Sequence, residues 1–241
     1  MLAGGVIAGF AAGLFAALLH FAFIQNTLLL GEDYESGAAV HWAGVPSDTG
    51  TPEPGDTTSV EEDAGAADGH TDEDESAFTR NALTVLFTGF IYSGYGLILV
   101  AAMQVPGLFG RNVNPRDGVL WGVAGFAVFQ MLPSMGLPPQ LPGTLSADVQ
   151  LRQIWWVATI FATASGLGML AYGRNLVWVL AAIVLLATPH LIGAPEIEGY
   201  FGYAPPELGA QFATRVLGVG MVAWALLGWL VTRVVPPQDI A

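Results

Sequence analysis

Apolar residues run far enough to cross a bilayer in six places. Roughly 30 Å of hydrocarbon takes about 20 residues at 1.5 Å each, and such runs stand at 2–30, 82–103, 118–135, 154–172, 176–192 and 212–235. Runs of this length and composition predict membrane-crossing helices. The fifth run is the shortest, with seventeen residues between Asn175 and Gly193. Were it re-entrant, the C-terminus would change sides. The first run is too long for the apolar core of a cleaved signal peptide and lacks a basic flank, so it reads as an anchor. The expected fold is all-α: a polytopic membrane bundle of about six transmembrane helices. Its parts are a first span over 1–30, an outer segment over 31–80 and a five-helix bundle over 81–241.

The segment 31–80 breaks the apolar pattern. It holds fourteen carboxylates, is rich in Gly, Pro, Ser and Thr, and has no Lys or Arg before Arg80. A stretch this polar buries too little surface to offset ordering entropy, which predicts a largely disordered loop. With six spans, eighteen of the twenty carboxylates fall on its side of the membrane. The opposite side carries Arg111, Arg116, Arg174 and Arg233 in short segments, so it reads as cytoplasmic and the acidic loop as extracytoplasmic.

Composition agrees with a cell-membrane location: 53% of the 241 residues are hydrophobic and 11% charged, and mean hydropathy is +0.55 despite the polar insert. All seven basic residues are Arg, the net charge is −13 and there is no cysteine. An acidic, Lys-free chain of this kind suits very high salt and suggests a halophilic source. Without thiols, any metal must be held by His, carboxylate, Met, amide or carbonyl groups, which favours hard or borderline cations.

Candidate chemistry collects at the outer membrane edge. Proline lacks an N–H and frees a helix carbonyl, so Pro133 and Pro189 each offer a potential cation ligand near the surface. His190 follows Pro189 directly, with Glu196 and Glu198 close behind. The group has two readings: a mixed nitrogen and oxygen metal site, or an interfacial imidazole bonded to backbone or to an acid. His20, with Gln25 and Asn26, comes from the first span toward the same edge, where it lines a pathway or bonds a neighbouring helix. In the loop, His70 precedes a run of four carboxylates and could bind divalent cations weakly, and His41 is the other loop histidine. Arg152 and Gln153 precede the interfacial pair Trp155 and Trp156, and Asp148, four residues before Arg152, reads as its local ion-pair partner. Gly5, Gly9 and Gly13, then Gly118 and Gly122, recur every four residues and mark faces where helices approach closely.

Four stretches carry a resemblance. GEDYE (31–35), GLPPQLPG (136–143), RQIWW (152–156) and PHLIGAP (189–195) resemble the CbtA family, whose members are predicted cobalt transporter subunits of bacteria and archaea. The resemblance extends over nearly the whole chain. It implies a membrane component assigned to cobalt uptake for cobalamin synthesis, working beside a small His-bearing membrane partner called CbtB. It also draws attention to Pro138, Pro139 and Pro195 within the shared motifs. Family members commonly have basic residues at the N-terminus and more His in the first loop. This chain has neither, which shifts weight from the loop to the PHLIGAP and GLPPQLPG regions.

Three functions follow in order. The first is a permease for divalent cobalt, with nickel as the second candidate, drawing the cation through an outer site of His190, His20, carboxylates and freed carbonyls. The second is a non-conducting accessory or scaffold subunit of a membrane complex. The third, an enzyme, is disfavoured: there is no GxxxxGK[ST], no HExxH and no Ser nucleophile beside a His base. No tightly bound cofactor is expected. The expected partners are membrane lipid, the divalent cation, the small CbtB-like membrane protein and further copies of the chain; nothing points to nucleic acid.

Overall fold

The computed structural model describes residues 1–40, 69–111, 113–199 and 201–235. They form α1 (Leu2–Phe23), α2 (Gln25–Ser36), α3 (Gly69–Gln104), α4 (Gly118–Phe126), α5 (Leu132–Ser134), α6 (Val149–Tyr172), α7 (Leu176–Ile192) and α8 (Pro206–Val234). A π turn, Ala127–Met131, joins α4 to α5, so helix runs unbroken over 118–134. No strand occurs among the described residues.

Four helices are long and apolar enough to cross a membrane: Leu2–Phe23, Ala77–Leu108, Val149–Tyr172 and Pro206–Val234. Helix α7 and the 118–134 rod are shorter, at about 25 Å for 17 residues. Contacts at both ends show that α7 runs antiparallel to α6 from Gly173 back to Trp155. Gly173, just past α6, abuts Trp178, and the Trp155 indole N–H near the start of α6 donates to the Pro189 carbonyl at 3.1 Å. The same logic orders the other rods. Gly4 packs on Val235, Gly13 on Gly89, and Gly118 on Gly228 and Thr232. Six rods therefore alternate in direction. Met1, 105–111, 113–117, 173–175 and Val235 lie on one face, and α2, 135–148, 193–199 and 201–205 on the other.

Local sequence sets the ends. The Asp148 carboxylate accepts from the N–H groups of Gln150 and Leu151, at 3.0 and 3.1 Å, and starts α6 five residues before the expected 154. The expected pairing of Asp148 with Arg152 is not made, because that carboxylate is committed to the helix end. Asn175 caps α7 through Trp178 N–H, and Gly193, at φ +86°, ends it.

Two expectations are corrected. The first span, read as 2–30, stops at Phe23. Beyond it Thr27 Oγ1 donates to the Ile24 carbonyl at 2.6 Å and the Arg215 guanidinium takes the Phe23 carbonyl at 3.0 Å, so the helix breaks and polar α2 begins. The segment 31–80, read as a loop, is helical at 31–36 and at 69–80. The first piece completes α2, and the second leads into the long apolar part of α3, whose nucleation cost is already met. Gln25 Nε2 donates to Asn81 Oδ1 at 3.2 Å, and Arg80 faces Glu32 at 4.0 Å, tying α2 to α3. Residues 41–68 of that segment, His41 among them, lie outside the described residues.

The core sits among α1, α3, α4 and α8, where Ala8, Ala12, Met103, Ala223, Trp224 and Leu227 are completely buried. Close approach depends on glycine. A Cβ at Gly9 would strike the Tyr92 carbonyl and the Ser93 backbone, and one at Gly122 would strike the Trp224 carbonyl. Helix α7 instead packs along α6, outside this core. Gly9→Ile is expected to lower stability by about 2 kcal/mol or more, while Gly94→Ala, where the space is open, leaves it unchanged. Thermal unfolding of the purified protein in detergent reads both; equal stability of the two variants would contradict this packing.

Candidate functional site

Three separated stretches meet around one indole. Trp155 is buried in α6; its N–H bonds the Pro189 carbonyl, its ring lies against Gly136 so closely that a Cβ there would collide, and its edge meets the His190 ring at 6.0 Å and 72°. The Ala194 methyl borders the same spot beside Gly136. GLPPQLPG, RQIWW and PHLIGAP thus form one assembly.

The 136–143 strap crosses this assembly between two clefts. One, of about 760 Å³, is lined by Pro138, Pro139, Arg152, Gln153 and Trp156 with Leu28 of α2. The other, of about 590 Å³, is lined by Pro138, Arg152, Pro195, Glu196 and the 201–206 stretch. Arg152 belongs to both. The strap is held by Leu141 against Gly31, by Gly143 against Glu35 and Tyr203, and by a bond from Leu145 N–H to the Phe201 carbonyl at 3.0 Å. Inside it, Gln140 Oε1 accepts from Ser146 Oγ at 2.6 Å and lies 3.5 Å from Arg152 Nη2. Gln140 was not singled out in the sequence, although an amide among the three prolines of the strap was a signal that its side chain has a fixed task.

His190 is half-buried in the last turn of α7, and its Nε2 is enclosed without a hydrogen-bond partner. That imidazole is not bonded to backbone or acid through Nε2. Glu196 and Glu198 are exposed; Gly193 turns the chain out of α7, and the irregular stretch after it carries both carboxylates to the rim. Among the described residues no three His, Asp or Glu side chains gather closely enough to hold a metal. His20 stands in the last turn of α1, edge-on to Phe21 at 5.7 Å. It belongs to the α1, α3 and α8 group, whereas His190 belongs to the α6 and α7 pair. His70 lies in the first turn of α3. Pro133 is buried in α5 directly after the π turn, whose wider ring makes room for a residue without an N–H. The carbonyl of Pro189 itself is occupied twice, by Trp155 and by Gly193 N–H at 3.1 Å.

A family model described as probable cobalt transporter subunit, CbtA, matches residues 1–235. The chain belongs to the CbtA family. No curated protein and no solved structure matches it. As a CbtA member it is a membrane protein, a cobalt transporter subunit, with cobalt as its cargo. In this CbtA chain the chemistry available to the cargo is an enclosed imidazole nitrogen, a rim of carboxylates and amide oxygens in two clefts. Imidazole suits a borderline cation such as Co²⁺, and oxygen donors accept it with part of its water retained.

Proposed function

We propose that this CbtA chain conducts divalent cobalt inward, taking it from the clefts under the acidic segment to His190 and onward between the close-packed helices. The observation that carries the reading is the convergence of 136–143, 152–156 and 189–195 on one point, where His190 Nε2 has a lone pair or proton with no protein partner. An enclosed imidazole without a bond is costly unless something else binds it. Glu196 and Glu198 at the rim, and His20 at the outer end of α1, serve as earlier contacts. The acidic segment acts as an antechamber. In molar salt the Debye length is about 3 Å, so it works by short-range capture and not by long-range steering.

Four Arg on the face with the N-terminus support an orientation with that face in the cytoplasm and the clefts outside. No nucleotide-binding motif occurs, so the drive comes from the membrane potential, a gradient or a partner. A small His-bearing protein of the CbtB kind delivers or receives the ion, and the cobalt feeds cobalamin synthesis.

Radiolabelled cobalt uptake in cells carrying the chain alone is the test. His190→Ala and His20→Ala are each expected to lower initial uptake at limiting cobalt by roughly tenfold, and excess nickel is expected to compete less well than unlabelled cobalt. Deletion of 40–75 lowers capture without abolishing transport. Unchanged uptake in both His variants would remove the proposed site. Uptake only with a second protein present would make this chain the non-conducting accessory. Because the chain lacks cysteine, Ser146→Cys and Arg174→Cys each give a single thiol. An impermeant maleimide should label the first on intact cells and the second only after permeabilisation; the reverse pattern would invert the orientation.

A further inference from the structure

A second polar place lies inside the bundle, away from the histidines. Gln130 belongs to the π turn that packs against both α8 and α6, at the seam between the four-helix core and the α6 and α7 pair. Its Oε1 is enclosed without a hydrogen-bond partner and presses on Gly220 of α8, where a Cβ would collide with it. One turn further along α8, Trp224 is fully buried and its Nε1 is likewise unpartnered. The Trp224 ring stacks on Phe129 at 5.6 Å and 11° and tilts over Tyr95 at 4.7 Å.

The backbone is irregular here too: Leu132 N–H bonds the Ala127 carbonyl across the wide turn. Buried acceptors without donors are rare, and π turns of this kind recur at functional sites. An amide oxygen lacking a donor and three aromatic rings therefore stand on adjacent turns. From Met131 to the strap at Gly136 is roughly 8 Å along the helix axis, so this place lies just beneath the outer clefts.

We infer that Gln130 Oε1 is the protein ligand of an inner station for a partly hydrated divalent cation, beside the rings of Tyr95, Phe129 and Trp224. Neutral oxygens replace part of a hydration shell without the grip of a carboxylate, which is what passage requires, and aromatic faces add attraction for a cation. The station rests on the reading of the chain as a conductor and adds a role for residues which that reading does not use.

The test is cobalt influx into liposomes holding the purified full chain, with radiolabelled Co²⁺ as the probe. Gln130→Leu is expected to reduce maximal influx about tenfold with little change in the cobalt concentration for half-saturation, whereas His190→Ala chiefly raises that concentration. Gly220→Ala, which sets a methyl against Gln130 Oε1 while keeping the amide, should reproduce the loss of maximal influx should Gln130→Leu fail to fold. Wild-type maximal influx in Gly220→Ala together with Gln130→Leu would overturn the station and leave the amide as a packing or water-bound group. No influx in the wild-type protein would overturn the station and the conducting role together.

Discussion

In hydrocarbon, lipid tails solvate leucine as well as another leucine does, so bulky side chains give helices no reason to associate. What holds α1, α3, α4 and α8 together is backbone approach at glycine. Gly9 and Gly13 set α1 onto Tyr92 and Gly89 of α3, and Gly118 and Gly122 lock against Gly228 and the Trp224 carbonyl of α8. Dispersion between closely apposed backbones acts only where no side chain intervenes. Gly125 then leaves a recess that the Trp224 ring fills, and Gly220 one for the Gln130 amide. The placing of both polar interior groups is thus a consequence of where the helices lack side chains.

The second part of the molecule is fastened differently. Helices α6 and α7 pack on each other and meet the core mainly through α5, the π turn and the strap. Trp155 is the fastening: one indole fills the space over Gly136, bonds the Pro189 carbonyl and borders His190. A seam between a rigid core and an appended pair is a natural place for a pathway, since it can widen without breaking the glycine contacts. His190 sits at its outer end and Gln130 further in.

The apolar runs made most of this architecture legible. The bounds of α7 and of the 118–134 rod follow the runs almost to the residue, because Asn175, Gly193 and Gly118 punctuate them. Helix α6 begins earlier than its run because Asp148, read as a partner for Arg152, caps it instead; a side chain with two possible partners is not resolved by spacing. The break at Ile24 was hidden because the residues just past it include apolar ones, and only the pull of Arg215 and Thr27 on its carbonyls reveals it. The helical stretches at 31–36 and 69–80 look unfavourable by composition alone, yet they continue helices already nucleated. At the candidate site, the motifs at 136–143, 152–156 and 189–195 meet at Trp155, which could not be read from order along the chain. Gln130 escaped notice as one amide in an apolar run, although Pro133 three residues on was the available signal.

The central claim is that this chain by itself provides the route for cobalt. Two charges crossing a potential of 100 mV gain about 4.6 kcal/mol, enough for accumulation on the order of a thousandfold. The direct measurement is cobalt accumulation by liposomes containing only the purified chain, with the potential set negative inside and then abolished. The account predicts accumulation that follows the imposed potential and collapses with it. Folded, correctly inserted protein that admits no cobalt at any potential would contradict it.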